Sequence, residues 1–331
     1  MSYLVLQPGM VLSHSIDDYP EGIVVPVDKP YRWTSADVIR KVKWMAVKHF
    51  GKRNLKVGHA GTLDPLATGV LLVCIGKATK LAEEFQKAPK QYLAGVTFGA
   101  TTASYDLEKE VDTRYPLDGV SREALLGVLP GFIGEQEQVA PLFSAKSVDG
   151  VRVYELARKR YKAGLPVEEP GLLQASRISI YDLQLVTFSD GTGGAGEAGD
   201  GTPYATLGDG TRSGGEASGP RGVPPSASLE GGAQPQVGRD DGAAVTGSAP
   251  MASRQGASNR INVASVPAGL PQAEILVDCS KGTYIRALAR DLGEALGSGA
   301  FLHSLRRTRN AGFAVEDALS IPDIEAVFPR N

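Results

Sequence analysis

Cysteine and histidine are scarce in this sequence, and their scarcity limits the chemistry it can support. Its 331 residues include two cysteines and four histidines. Cys74 and Cys279 stand alone in apolar stretches, so neither a disulfide framework nor a zinc-binding motif is indicated. The histidines, at positions 14, 49, 59 and 303, are too scattered to predict a metal cluster. We therefore expect a protein without a bound metal.

Long apolar runs and a strong charge of one sign are also missing. No stretch of 18 apolar residues occurs, and the first ten residues, MSYLVLQPGM, lack the basic start of a signal peptide. We therefore expect a cytoplasmic protein with no membrane partner. The formal net charge of −2 argues against a uniformly basic surface for nucleic acid. Any such surface has to be sought in local clusters of charge.

Residues 191–260 differ sharply in composition from the rest of the chain. This segment holds 18 of the 40 glycines but only seven large apolar or aromatic residues. It can bury too little apolar surface to offset the entropy of ordering, so we expect a disordered insert. Strand-like sequence on both sides, at 175–188 and 272–280, predicts two neighbouring strands joined by an overgrown hairpin loop. An inert loop and a partner-binding tail both remain open as interpretations of the insert.

Strand-like and helix-like patterns are interspersed along the other residues. Further strands are predicted from apolar or alternating runs at 23–28, 70–75, 92–98 and 300–307. Helices are predicted after Thr34 or Ser35, which can cap a helix, and at 79–86, 121–129, 151–161 and 283–296. The elements do not alternate regularly, as those of a doubly wound parallel sheet would. We expect an α+β fold with a mixed, largely antiparallel sheet flanked by helices.

The segment KVGHAGTLDPLATGVLLVCIGKATK, residues 56–80, is the strongest candidate for chemistry. A phosphate-binding P-loop is excluded because six residues lie between Gly69 and Gly76, where the motif has four, and because Lys77 is followed by alanine. Asp64 remains, set among glycines and directly followed by Pro65. An Asp-Pro pair commonly begins a turn, so the residues alone leave a structural and a catalytic role open.

Five blocks match, in order along the chain, the motifs of one enzyme family. They are VDKPYRWTSADVIRKVK (27–43), GHAGTLDPLATG (58–69), PKQY (89–92), VAPLFSAKSVDGVRVYELARKR (139–160) and CSKGTYIRALARDLGEALGSGAFLHSLRRT (279–308). The chain thereby resembles the pseudouridine synthases that modify the uridine of the tRNA TΨC loop. The second block resembles the stand-alone bacterial enzymes, the TruB type, more than their guide-RNA-dependent relatives.

The resemblance implies one catalytic domain with a pseudouridine synthase fold, formed by residues 21–190 and 261–331 and preceded by an N-terminal extension of residues 1–20. Two departures from the family pattern stand out. Arg32 lies where the family usually has glycine, so we expect a different loop there. The sequence ends at Asn331, soon after the last block. We therefore expect the C-terminal RNA-binding module of many relatives to be absent, which would leave RNA affinity to the catalytic domain.

Pseudouridine formation breaks the N-glycosidic bond of a uridine, turns the base and joins its C5 to C1′. No redox change or net hydrolysis occurs, so the resemblance implies that no cofactor is needed. Asp64 matches the catalytic aspartate, whose carboxylate could attack the sugar, attack the base or abstract a proton. Arg286 matches the arginine that pairs with this aspartate and holds it ionised. Tyr92 matches the tyrosine that stacks on the target base.

The target base lies inside a folded tRNA loop, so it has to be extruded before it can react. His59 matches a histidine that helps to fill the vacated space. Lys29 and Leu305 match positions near the pocket, with Leu305 as an apolar wall under the base. The implied partner is the T-arm of tRNA. We expect a monomer that requires no protein partner.

Basic residues are clustered in three places despite the neutral total. Residues 40–56 contain seven lysines and arginines and no acid. A second cluster lies at 158–162, and Arg306, Arg307 and Arg309 form the third. A cationic helix face is ordinarily just solvated, but beside an RNA-modifying site, contact with phosphates becomes the preferred interpretation.

Two other functions compete with this interpretation. A non-catalytic RNA-binding or RNA-folding protein would keep the fold and lose the reaction, and the presence of Asp64, Tyr92 and Arg286 argues against it. A nucleoside hydrolase would require a second catalytic carboxylate or an Asp-rich metal loop. Asp28 and Asp37 flank the N-terminal motif singly, and the sequence contains no acidic cluster.

Overall fold

A computed structural model provides the coordinates, and it describes residues 3–144, 146–148, 151–165, 173–192, 261 and 263–329. From position 193 on, the glycine-rich insert lies outside these residues, so its disorder stays a prediction. No helix in the described ranges is long and apolar enough to cross a membrane.

Strands and α-helices are interspersed, as the sequence predicts. The strands are β1 (Leu4–Val5), β2 (Ile23–Lys29), β3 (Val57–Ala60), β4 (Ala67–Ile75), β5 (Lys90–Phe98), β6 (Ala100–Thr102), β7 (Val111–Arg114), β8 (Gly134–Gln138), β9 (Ser147–Val148), β10 (Val151–Arg152), β11 (Ser176–Ser189), β12 (Gln272–Cys279), β13 (Ala300–Asn310) and β14 (Phe313–Ala314). The helices are α1 (Ser35–Phe50), α2 (Ala82–Lys87), α3 (Arg122–Val128), α4 (Val153–Lys162), α5 (Ile285–Ala295) and α6 (Ile321–Val327).

Ten of these strands form one sheet. Eight of them follow the order β1-β2-β4-β13-β5-β12-β11-β8, while β3 pairs with β4 and β14 pairs with β13. The pairs β1/β2 and β4/β13 are parallel, and the other pairs of the described sheet are antiparallel. The expected mixed, largely antiparallel sheet flanked by helices is thus confirmed.

Helix α1 begins where the sequence predicts. The Thr34 side chain accepts a hydrogen bond from the backbone N–H of Asp37, and the Asp37 carboxylate accepts one from the backbone N–H of Thr34. This reciprocal capping box satisfies two backbone donors that the first turn would otherwise leave unpaired. Val38, Val42 and Met45 lie at helical spacing and are buried against the sheet.

Three predicted helices differ at their starts. The segment predicted as a helix from residue 79 begins as a 3₁₀ helix, Gly76–Leu81, and becomes α-helical only in α2. Helix α4 begins at Val153 because residues 151 and 152 pair with 148 and 147 in a two-stranded hairpin. Helix α5 begins at Ile285, two residues after the predicted start.

Two large apolar clusters line the sheet. One contains the buried positions of α1, β2 and β4, and the other contains those of α5, β5, β11 and β12. Tyr92 and Leu305 are partly buried and pack against both clusters, so they lie where the two meet. Leu6, Leu12 and Ile16, from the expected N-terminal extension, are buried in the first cluster.

The two strands that flank the insert are neighbours, as predicted. β11 pairs antiparallel with β12, with Ile180 opposite Cys279 and Ser189 opposite Gln272. The chain therefore leaves the sheet at Ser189 and re-enters it at Gln272, beside its exit. The insert therefore lies within the connection between two neighbouring antiparallel strands.

Candidate active site

Asp64 lies in the loop between β3 and β4, and α1 holds this loop in place. The backbone N–H of Leu63 donates to Ser35 Oγ at 2.9 Å, and Ser35 Oγ donates to the carbonyl oxygen of Leu63 at 3.1 Å. The backbone N–H of Ala67 donates to the carbonyl oxygen of Asp64 at 3.1 Å, which closes a turn. Asp64 and Pro65 therefore form the turn that the structural interpretation predicts. The same turn places the Asp64 carboxylate at the surface of the site.

Arg286, from the first turn of α5, is the partner of Asp64. Its Nε lies 2.9 Å from Asp64 Oδ2, and the Arg286 side chain is 5% exposed while that of Asp64 is 40% exposed. Nη1 donates to the carbonyl oxygen of Ser104 at 3.1 Å and Nη2 to that of Phe143 at 2.9 Å. Burial lowers the pKa of Arg286, but the attraction of its acidic neighbours outweighs burial and raises it overall. The guanidinium is therefore a fixed positive charge behind a half-exposed carboxylate.

Asp106 is a second carboxylate at this guanidinium, and no motif in the sequence points to it. Its Oδ2 lies 3.8 Å from Arg286 Nε. Its Oδ1 accepts from Ser104 Oγ at 2.6 Å and from the backbone N–H of Glu108 at 2.9 Å. Burial raises the pKa of the Asp106 carboxyl, while Arg286 opposes that rise. Because Asp106 is buried and held by neighbouring groups, it can orient Arg286 more readily than it can meet a substrate.

Tyr92 and Leu305 lie on adjacent strands of the sheet. Leu305 on β13 stands between Ala94 of β5 and Ala67 of β4, while Tyr92 is opposite Arg307. Both side chains line an open cleft together with Asp64 and Arg286. Burial raises the pKa of the Tyr92 hydroxyl, so this group stays protonated at neutral pH. The structure thus brings together four of the six residues to which the resemblance assigns roles.

Lys29 lies behind the Asp64 loop, outside the lining of the cleft. It is fully buried at the end of β2, and its Nζ donates to the carbonyl oxygens of Pro30, Trp33 and Pro65. Burial lowers the pKa of Lys29 to about 7, and the nearby Asp64 charge opposes that shift. The hydrogen bond from Lys29 to Pro65, the residue that follows Asp64, connects β2 to the Asp64 loop.

His59 lies in β3, opposite Val73 of β4, and is also outside the lining of the cleft. Burial lowers its pKa. Its Nδ1 is buried without a hydrogen-bond partner in the described part of the chain. A base-replacing movement of His59 stays a prediction.

Arg307 corrects the prediction that residues 306–309 form a phosphate-binding cluster. This side chain is 1% exposed, and its Nε donates to the carbonyl oxygen of Val70 at 2.7 Å. Nη2 donates to the carbonyl oxygen of Gly61 at 3.2 Å, and Nη1 to that of Thr62 at 3.5 Å. Arg307 is therefore an internal support of the Asp64 loop. It borders the cleft, but its guanidinium is engaged by these three carbonyl oxygens and is not an exposed phosphate-binding group.

Arg306 is also engaged within the protein. Its guanidinium makes two hydrogen bonds to Asp28, at 3.1 and 2.8 Å. Asp28 Oδ1 also accepts from the backbone N–H of Gly69 at 3.1 Å. Gly69 has φ +98°, and a Cβ there would lie 2.2 Å from the carbonyl oxygen of Arg307. Glycine is required here because β4 and β13 approach closely where the signature loop enters the sheet.

Arg32 adopts the left-handed conformation, with φ 64°. Glycine takes this conformation without strain, which accounts for a family preference for glycine at this position. Arg32 keeps the conformation in this chain, and its Nη2 donates to the carbonyl oxygen of Ile261 at 2.6 Å. This contact joins the N-terminal motif to the residue that follows the insert, and a loop different from that of the family stays a prediction.

Asp64 is the only acid among the described residues that line the open cleft. In the described ranges, no group of three or more His, Cys, Asp and Glu side chains is placed to hold a metal ion. The site therefore consists of one accessible carboxylate, a fixed guanidinium behind it, and apolar and aromatic walls. This arrangement suits chemistry at an electrophilic carbon or at a C–H bond.

Family models and curated relatives both match this chain, and both indicate the family that the sequence motifs resemble. A model described as the TruB family pseudouridylate synthase N-terminal domain matches residues 48–193. A second model, described as the tRNA pseudouridylate synthase B C-terminal domain, matches residues 286–330. The second match extends from α5 to α6 and includes β13 of the main sheet. The absence of a further RNA-binding module stays a prediction.

Curated relatives match over most of their length. The chain is 38% identical over 304 residues to tRNA pseudouridine synthase B of Phocaeicola vulgatus, covering 92% of each chain. It is 34% identical over 314 residues to the Parabacteroides distasonis protein of that name, covering 95% of this chain and 96% of the relative. A crystal structure of a Cbf5-Nop10-Gar1 complex matches at 20% identity with a TM-score of 0.49, covering 92% of this chain. The chain spans only 54% of that matched chain. From the family models and the curated relatives, the chain belongs to the TruB family of pseudouridylate synthases.

Proposed function

We propose that this chain converts the uridine of the tRNA TΨC loop to pseudouridine, with Asp64 as the catalytic carboxylate. It acts as a cytoplasmic monomer and needs no cofactor or protein partner. The observation that carries the proposal is the contact between Asp64 Oδ2 and Arg286 Nε at 2.9 Å. The curated relatives support tRNA as the substrate through their name, tRNA pseudouridine synthase B.

The two carboxylate oxygens of Asp64 have different surroundings. Oδ2 is fixed by Arg286, while Oδ1 has no hydrogen-bond partner within the described residues. The fixed guanidinium orients the carboxylate, so Oδ1 can meet the sugar or the base without reorganisation. The reaction breaks the N1–C1′ bond, forms a C5–C1′ bond, removes a proton from C5 and leaves N1 protonated.

Tyr92 and Leu305 supply the walls for an extruded base. Both are partly buried side chains on the cleft surface, and each packs against the two apolar clusters. An aromatic ring and an aliphatic side chain can enclose a flat base without competing for its hydrogen bonds. Because Tyr92 keeps its proton at neutral pH, its hydroxyl serves as a hydrogen-bond donor and not as a resting base.

The cleft is open to solvent and has cations at its border. Its volume is about 550 Å³, within the range of about 300–1,000 Å³ that is typical of pockets for small molecules. Arg177 and Lys281 stand on its lining and are exposed. A cleft with cations at its border suits a nucleotide that is still attached to a charged RNA backbone.

The experiment that tests this function uses the purified full chain and an unmodified tRNA transcript. Pseudouridine is mapped by carbodiimide modification and primer extension. We expect one new pseudouridine, at the TΨC-loop uridine, and none in a transcript that carries cytidine there. Activity should persist in EDTA when polyamine keeps the tRNA folded, and light scattering should give the mass of one chain. Modification at another position, or none at all, would refute the proposal.

A further inference from the structure

The solvent side of α1 carries cations next to the catalytic loop. The helix buries Val38, Val42 and Met45 on one side and exposes Lys43, Trp44 and Lys48 on the other. The loop after the helix adds further exposed cations and leads directly into β3, which ends at the Asp64 loop. The exposed cations and the site therefore belong to one continuous stretch of chain.

Ion pairs neutralise only part of this charge. Three of the seven cations in residues 40–56 pair with acids, in the pairs Arg40–Asp37, Lys41–Glu325 and Lys52–Asp17. The other four are exposed and form no ion pair with the described residues, namely Lys43, Lys48, Arg53 and Lys56. A surface with several cations that form no ion pairs attracts a polyanion, because few existing ion pairs have to break when the polyanion binds.

Two lysines of this surface lie over the ring of Trp44, which restricts their side chains. Lys48 Nζ lies 4.5 Å from the centroid of the Trp44 ring, and Lys41 Nζ lies 5.6 Å from it. A cation over the face of an indole ring is attracted to it, also at an exposed site. Lys48 therefore loses less conformational freedom when a phosphate binds than an unsupported lysine would.

The helix is also fixed relative to the catalytic carboxylate. Ser35, the first residue of α1, makes both hydrogen bonds to Leu63, next to Asp64. At 1.5 Å per residue, Lys43 lies about 12 Å and Lys48 about 20 Å along the helix from Ser35. An RNA loop that delivers its base to Asp64 brings its adjoining stem to the surface around the cleft. The cations of α1 lie on that surface, within about 20 Å along the helix from Ser35.

We infer that Lys43, Lys48, Arg53 and Lys56, here called the α1 basic face, bind phosphates of the double-stranded stem of the RNA whose loop enters the cleft. This inference rests on the proposed function and adds the surface and the part of the RNA that it contacts. Contacts with phosphates position an RNA without reading its sequence. The α1 basic face should therefore set affinity and leave the chemical step unchanged.

The test compares two double variants of equal charge change. Lys43→Gln/Lys48→Gln removes two cations of the face, and Arg114→Gln/Arg122→Gln removes two exposed cations of β7 and α3. Dissociation constants are measured from 50 to 300 mM salt with a T-arm hairpin and with its loop as a free single strand. Single-turnover rates are measured at saturating hairpin.

For the α1 variant we expect hairpin binding to weaken several-fold. The slope of log Kd against log salt should fall by about 1.4–1.8, because two phosphate contacts are lost and each contributes about 0.7–0.9. The free loop should bind the wild type and both variants equally, and the saturated rate should stay within about twofold. The control variant should change hairpin binding by less than about twofold.

Three results would overturn the inference. They are an unchanged hairpin slope, an equal loss in the control variant, and an equal loss of binding to the free loop. The melting temperature of each variant, expected to match the wild type, checks that the fold is intact. Pseudouridine formation by the wild type tests the proposed function separately. A wild type that binds the hairpin through this face and forms no pseudouridine would refute the function and leave the inference standing.

Discussion

The Nε atom of Arg286 lies 2.9 Å from Oδ2 of Asp64 and 3.8 Å from Oδ2 of Asp106. One carboxylate is half exposed in the cleft, and the other is buried beside the guanidinium. Because Arg286 also donates to two backbone carbonyl oxygens, its position does not depend on Asp64 alone. The guanidinium should therefore stay in place when Asp64 is changed.

Asp64→Asn should abolish pseudouridine formation and leave the tRNA dissociation constant nearly unchanged. A group that acts only along the reaction path lowers turnover without weakening ground-state binding. Single-turnover kinetics and a binding titration on the same transcript measure the two effects. Asp112→Asn, at an exposed carboxylate of β7, serves as the control. A variant that keeps a tenth of the wild-type rate would show that Asp64 is not the catalytic group.

Asp106→Asn should lower the single-turnover rate by about tenfold or more, with tRNA binding unchanged. The asparagine carbonyl can still accept from Ser104 Oγ and from the Glu108 N–H, so these two bonds survive. The charge beside Arg286 is lost, and an NH2 group replaces the Oδ2 that faces the guanidinium. A guanidinium without its second carboxylate is less firmly oriented towards Asp64. The rate and the melting temperature are compared in parallel. A wild-type rate in a folded variant would mean that Asp106 does not position Arg286.

Arg307→Lys should destabilise the protein and slow the reaction together. A lysine cannot reach the carbonyl oxygens of Gly61, Thr62 and Val70 at once, so buried acceptors lose their donors at about 1–3 kcal/mol. We expect the melting temperature to fall by about 3–10 °C. Arg309→Lys, two residues along at an exposed position, should change neither quantity. Equal melting temperatures and rates in the two variants would show that Arg307 does not support the loop.

Stability should fall in mild acid through His303. Burial lowers the pKa of His303 to about 4, and its Nδ1 lies 2.9 Å from Thr97 Oγ1. Below pH 6.5 the unfolded chain takes up a proton that the folded chain does not, so unfolding becomes easier as pH falls towards 4. The expected loss at pH 5 is about 2 kcal/mol. Urea titrations at pH 7 and pH 5 should show this loss in the wild type and a smaller one in His303→Gln.

Deleting residues 193–260 and closing the gap with a short glycine-serine link should leave fold and activity nearly intact. Ser189 and Gln272 are opposite each other in the sheet, and a Cβ at Gly191, where φ is +80°, would lie 2.6 Å from the carbonyl oxygen of Gly269. The strand ends are therefore already close, and the link has only to join Thr192 to Ile261, eight residues before Gly269. Shortening the loop about tenfold recovers on the order of 2 kcal/mol of closure entropy.

A longer deletion gives the matched control for this prediction. Removing residues 263–270 as well should destabilise the protein, because the Ala264 N–H donates to the carbonyl oxygen of Leu107 at 2.8 Å and Leu270 is buried. The dissociation constant for tRNA should change less than about threefold in the shorter deletion. A tenfold loss of affinity with an unchanged melt would identify the insert as an RNA-binding arm.

Local patterns in the sequence determined most of the secondary structure. Thr34 and Asp37 are close in the sequence, and together they cap the start of α1. Ser121 caps the start of α3 through a bond from the backbone N–H three residues later. Apolar runs give the strands without knowledge of their partners. The contact between Asp64 and Arg286 was implied by resemblance to a family, because residue spacing alone leaves Asp64 as an ordinary turn residue.

Only the tertiary structure decided what Asp106 and Arg307 do. Both are charged residues that a sequence pattern assigns to the surface. Asp106 is buried because its loop lies against Arg286, and Arg307 is buried because β13 lies between β4 and β5. The sign of a charge can be seen in the sequence, but whether that charge faces water depends on strands paired across distant parts of the chain. The same residue type therefore supports a catalytic loop at Arg307 and is exposed to solvent at Arg309.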